Sequence, residues 1–108
     1  MFEKLIELAR AGKGRRMLNA LTKKDLVLSP DELDRVLKTY RDTGLPTEVE
    51  ILKTQRGILR EDQYDDLAQK VWQTCCAEHF DQFQTALRDL ISCGIKMNPA
   101  KMEQDRET

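Results

Sequence analysis

Apolar residues recur at steps of three and four along most of this 108-residue chain, the spacing that gathers side chains on one face of an α-helix. Phe2, Leu5, Ile6 and Ala9 make the first such stripe, with Glu3, Lys4, Glu7 and Arg10 on the other face, and predict a helix over 2–11. Gly12 and Gly14, on either side of Lys13, interrupt it. A short second helix is predicted over Arg15–Thr22 through Met17, Leu18 and Leu21, followed by the apolar connector Leu26-Val27-Leu28.

Ser29, Pro30 and Glu32 form the sharpest helix start in the chain: a capping serine, a proline at the first helical position and an acid that closes a capping box. Leu33, Val36, Leu37 and Tyr40 supply the buried stripe. Gly44 reads as a left-handed stop, reinforced by Pro46. Thr47 and Glu50 repeat the capping pattern and open a short helix anchored by Val49, Ile51 and Leu52, ending near Gly57. The alternation Glu48-Val49-Glu50-Ile51 also fits a strand, but a single strand would have no partner.

The longest pattern runs from Glu61 to about Ser92. Its stripe is Tyr64, Leu67, Val71, Cys75, Phe80, Phe83, Leu87, Leu90 and Ile91, widened by Trp72 and Cys76. A slip in phase near Glu78-His79 predicts a kink or a split into two helices in series. Gly94 is the expected stop and Pro99 the expected end of order. The reading is an all-α fold: a small helical bundle of four to five helices with a long amphipathic C-terminal helix, kinked or split. Residues 1–97 form a single helical domain and 98–108 a flexible polar tail.

Charge sharpens this picture. Charged residues make up 34% of the chain, above the roughly 25% of an average globular protein, which suits narrow cores between amphipathic helices. The net charge of -1 provides no global field toward nucleic acid or membrane. It is unevenly spread: residues 1–28 carry +4 and residues 29–108 carry -5. No stretch approaches the roughly 20 apolar residues of a membrane span. The charged N-terminal stretch does not read as a signal peptide. Cys75, Cys76 and Cys93 are odd in number and two are adjacent, which argues against a disulfide framework and for reduced thiols in a cytoplasmic protein.

Candidate chemistry is sparse. Cys75, Cys76 and His79 form a C-C-x-x-H group on a helix, with Cys93 able to approach if the chain folds back. Zinc favours four such ligands, and the paired C-x-x-C knuckles are absent, so packed thiols beside an edge histidine are the plainer reading and no metal or other cofactor is expected. A Cys-His nucleophile is disfavoured by Glu78 and Asp81 nearby and by the lack of a glycine-rich turn to supply oxyanion donors. The acid pairs Asp62/Asp65 and Glu78/Asp81 would stand about 24 Å apart on one helix at 1.5 Å per residue, too far to share Mg²⁺. Gly12-Lys13-Gly14-Arg15-Arg16 lacks the spacing and the preceding strand of a phosphate loop. Residues 30–56 fit a helix-turn-helix outline, but its second helix would lead with Glu48 and Glu50 into phosphates.

The function expected by elimination is a non-enzymatic protein–protein interaction module: an adaptor, a chaperone, or an inhibitor or regulator of a protein partner, with a homodimer through the long helix as one form. Trp72, Phe80 and Phe83 are the candidate partner contacts, since aromatics dominate interface energetics. The alternative is a nucleic-acid-binding regulator using the basic patch Lys13, Arg15, Arg16, Lys23 and Lys24, although no aromatic is interleaved for base stacking.

Overall fold

Ser29 and Glu32 do what their spacing predicts. In the computed structural model, the Glu32 amide donates to Ser29 Oγ at 3.2 Å and the Ser29 amide donates to Glu32 Oε1 at 3.1 Å, closing the box at the start of α3 (Pro30–Thr39). The structure describes residues 2–23, 25–56 and 61–107, and the side chains among them except those of 55, 56, 61 and 94–107. The fold is all-α. Helix α1 (Phe2–Arg10) and α2 (Gly14–Leu21) precede α3; α4 (Leu45–Arg56), α5 (Glu61–Thr74) and α6 (Phe80–Glu107) follow it. No helix is long and apolar enough to cross a membrane among the described residues. The Gly57 stop falls outside the described residues. Gly94 is not the expected stop and Pro99 not the expected end: the backbone of α6 runs on through both to Glu107.

The break between α1 and α2 is a Schellman motif. Gly12 has φ 74°, a left-handed conformation that favours glycine; its amide donates to Ala9 O at 3.2 Å and the Lys13 amide to Leu8 O at 3.0 Å.

Gly44 is not the stop its position predicts. It belongs to a π-turn, Tyr40–Gly44, through which α3 runs on into α4. The Leu45 amide reaches back to Tyr40 O, one residue beyond the α-helical partner. Pro46 is the physical reason: it has no N–H to donate to residue 42, and its ring crowds that carbonyl. A widened turn just ahead of it relieves both conflicts while keeping the rod intact. Thr47 therefore does not cap a new helix; its hydroxyl donates to Thr43 O at 3.0 Å. With no turn between them, α3 and α4 are not a helix-turn-helix. Counted this way, the described residues make five helical rods.

Helices α5 and α6 are not one long rod either. Cys75, Cys76 and a single 3₁₀ turn (Ala77–His79) separate them, and α6 folds back antiparallel along α5, so that Lys70 and Thr74 share a groove with Asp81 and Thr85. The split predicted from the phase slip is present, in the form of a hairpin rather than a kink.

One core fills the space between these rods. Leu5, Ala9, Met17, Leu18, Val36, Leu37, Tyr40, Tyr64, Val71, Phe83, Leu87 and Leu90 are buried, most of them on the predicted stripes. Phe2, Ile6, Leu33, Leu67 and Phe80 pack against them half-buried. The phase of α4 differs from expectation: Leu45, Glu48, Val49 and Leu52 face inward while Ile51 is exposed. Continuity through the π-turn sets that phase.

Candidate functional site

Helix α4 divides its side chains between two environments. One turn of it carries Glu48 toward the α1–α2 break. There Glu48 Oε2 accepts from the Gly14 amide at 3.1 Å and from the Tyr40 hydroxyl. Helix α2 has no side-chain cap of its own, so a carboxylate 34 residues along the chain occupies its N-terminal position, where negative charge suits the helix dipole. Glu48 is the one charged side chain buried among the described residues. Burial pushes its carboxyl above the ordinary value of 4.5, while the bonds from Tyr40 and Gly14 pull it back down. Burial, reinforced by the Glu48 charge, holds the Tyr40 hydroxyl well above its usual range. Tyr40 in turn packs edge-on against Phe83 with ring centroids 5.9 Å apart.

The glycines around this junction are close approaches of backbone. A Cβ on Gly14 would stand 2.5 Å from Glu48 Oε2, and one on Gly44 would run into the Ala9 carbonyl. The junction buries Glu48 and gives its Oε2 two donors, one from the backbone and one from a buried side chain, so its role is architectural.

The other face of α4 looks onto α5. Leu45, Pro46, Val49, Glu50 and Lys53 form one wall of an open groove of ≈ 380 Å³; Asp65, Ala68, Gln69 and Trp72 form the other. The two helices run antiparallel, joined at one end by Lys53 Nζ–Asp65 Oδ1 at 3.2 Å. Beside that pair the Tyr64 hydroxyl donates to Leu52 O at 3.4 Å. At the other end Trp72 stands 52% exposed. A groove between α5 and α6 is of similar size, ≈ 420 Å³, but Ala86 is its one apolar lining residue among the described ones.

The three aromatic candidates therefore part company. Trp72 lies at the surface. Phe83 is fully buried, its ring held between Tyr40 and Phe80, and has no surface to offer a partner. Phe80 is half-buried against the core, its ring 6.2 Å from that of Phe83. Of the basic patch, Lys13, Arg15, Arg16 and Lys23 are exposed, and Lys24 lies outside the described residues.

The cysteines separate as well. Cys75 is buried, its thiol donating to Leu37 O at 2.8 Å, and burial pushes it up to about 12 despite the opposing charge of Arg41. Because α5 ends at Thr74, Cys75 and His79 do not share a helical face; Cys76 and His79 meet instead, Sγ to Nδ1 at 2.9 Å. Cys93 lies thirteen residues into α6, about 20 Å along the axis from its start at 1.5 Å per residue, and does not join them. No three of His, Cys, Asp and Glu come together as a metal-binding group among the described residues. The acid pairs stay apart, Asp62/Asp65 at the start of α5 and Glu78/Asp81 beyond its end.

Sequence reasoning missed Glu48 and the groove. The signal for Glu48 was present: inward positions at 33, 36, 37, 40, 44, 45, 48, 49 and 52 keep an unbroken three-and-four rhythm, provided Gly44 and a carboxylate are allowed to face inward. No family model, no curated protein sequence and no solved structure matches this chain.

Proposed function

We propose that this chain is a non-enzymatic protein-interaction module that takes an amphipathic helix of a protein partner into the α4–α5 groove, acting as an adaptor, chaperone, inhibitor or regulator of that partner. The exposure of Trp72 carries the reading. A single exposed apolar residue is ordinary, but this indole stands at the mouth of a groove whose walls include Leu45, Val49 and Ala68, the first two nearly buried, with Glu50 and Lys53 beside them. An apolar centre with a polar rim is the anatomy of an interface, and tryptophan is among the residues that most often dominate binding energy. Two antiparallel helices present a channel into which a third helix packs by ridges and grooves. The reduced thiols fit a cytoplasmic setting.

A benzophenone photocrosslinker at exposed Gln69, on the groove wall, leaves Trp72 in place and tests this in the native host. The expected result is an adduct with a protein partner through a helical segment, lost when Ala68→Arg fills the groove. An adduct that survives Ala68→Arg, or no adduct at all, rejects the site. An adduct of twice the chain's mass makes the partner a second copy and replaces the heterotypic reading with a homodimer.

The nucleic-acid reading has one observation in its favour: Arg15 and Arg88, from α2 and α6, line a common cleft beside the exposed Lys13 and Arg16. It predicts affinity that falls steeply with salt. No band shift with mixed DNA and RNA at low salt removes it.

A further inference from the structure

We propose that Cys76 and His79 form a thiol–imidazole pair that makes Cys76 the site of reversible modification by small disulfides. The turn between α5 and α6 builds the pair. Cys76 is extended, φ -155° and ψ 162°, and its carbonyl accepts from the His79 amide at 3.1 Å, which fixes the 3₁₀ turn between them. That geometry brings Sγ to 2.9 Å from Nδ1, with Cys76 half-buried and His79 exposed. The neighbouring Cys75 points the opposite way, buried and bonded to the Leu37 carbonyl, so the same turn shields one thiol and presents the other. A base within reach and access decide which cysteine reacts; the imidazole nitrogen 2.9 Å away supplies the first and the turn the second.

With the imidazole in its Nε2–H tautomer, Nδ1 accepts the Cys76 proton. The thiolate attacks one sulfur of a low-molecular-weight disulfide. An S–S bond forms to Cys76 as the reagent's own S–S bond breaks, and the electron pair leaves on the second sulfur, which takes the proton back from the imidazolium. One disulfide is consumed and one is made, so no further oxidant enters.

The test treats the full native chain with 4,4′-dithiodipyridine, follows thiopyridone release, and maps the mixed disulfides by mass spectrometry after acid quench. Cys76 is expected to react first and Cys75 to stay unmodified until the protein is unfolded. His79→Gln, a change at an exposed position, is expected to slow Cys76 by at least about fivefold with an unchanged melting temperature, and Cys76→Ser to remove the fast phase. Modification led by Cys75 or Cys93, or a Cys76 rate that His79→Gln leaves unchanged, overturns the proposal.

Discussion

At Glu48 the chain takes a carboxylate out of water and gives it two donors; one residue on, the nearly buried Val49 lines a groove where an indole is left 52% in solvent. Both are departures from the rule that charge faces out and aromatic surface faces in: Glu48 lies on α4 and Trp72 across the groove on α5. They differ in completeness. The junction has two donors for one buried carboxylate, backbone pressed against backbone, and no room for a methyl group at Gly14 or Gly44. The groove has Leu45, Val49 and Ala68 in its lining, and among the described residues only α4 and α5 border it. A buried carboxylate that gathers donors from separate parts of the chain specifies architecture, whereas an indole left half in solvent keeps surface for further contact.

Substitutions at the junction should therefore damage the fold, and the largest effects belong there. Phe83→Ala removes the ring that Tyr40 and Phe80 pack against and is expected to lower stability by about 3–5 kcal/mol. Gly44→Ala adds one methyl against the Ala9 carbonyl, and because both sides of that contact are backbone the loss should reach about 3 kcal/mol. Urea unfolding followed by circular dichroism checks both; a Gly44→Ala protein as stable as the parent would mean that α1 does not press against the π-turn.

Glu48→Ala comes next. It strips α2 of its only side-chain cap and leaves the Tyr40 hydroxyl and the Gly14 amide buried without an acceptor, a combined loss of about 2–3 kcal/mol. Tyr40→Phe removes one of the two donors and should cost less, about 1–2 kcal/mol. If the two substitutions proved additive in a double-mutant cycle, the hydrogen bond between them would carry no coupling and the junction would not be a unit.

Much of this molecule was readable in one dimension, and the exceptions share a cause. The Ser29–Glu32 box, the Gly12 break and the stripe from Tyr64 to Ile91 are local: each is defined by residues a few positions apart, so spacing alone reveals it. The position of Gly44 points to freedom of φ, but its role is its missing Cβ, which has meaning only against Ala9 on another helix. Glu48 fits the helical rhythm, yet its acceptor role depends on an amide 34 residues away. Trp72 follows Val71 on the stripe's edge, and spacing cannot tell whether a neighbouring helix will cover such an edge. Cys75 and Cys76 look equivalent in sequence, and only the end of α5 sends one inward and the other out.

A pH scan sharpens the contrast further. Burial raises the Glu48 carboxyl above its ordinary 4.5, so the folded protein holds that proton more tightly than the unfolded chain. The contribution is fully present below about pH 4.5 and is lost as pH rises through the raised folded value. As pH falls through that raised value toward 4.5, the melting temperature should thus rise through this group, and Glu48→Gln should flatten that rise. A rise of equal size in Glu48→Gln would assign it to other groups.

The smallest effect on stability is expected at Trp72, and its smallness is the point. With half its surface already in water, Trp72→Ala should change the unfolding free energy by no more than about 0.5 kcal/mol, against the several lost at Phe83 by the same truncation of an aromatic. If the groove is a docking site, this near-silent substitution should weaken capture of the partner at least tenfold, on the order of 1.4 kcal/mol or more, as expected of an interface anchor. The ratio of the two effects is the informative quantity. A large stability loss with Trp72→Ala would place the indole in the core, and an unchanged affinity for the cross-linked partner would leave the groove an ordinary seam between helices.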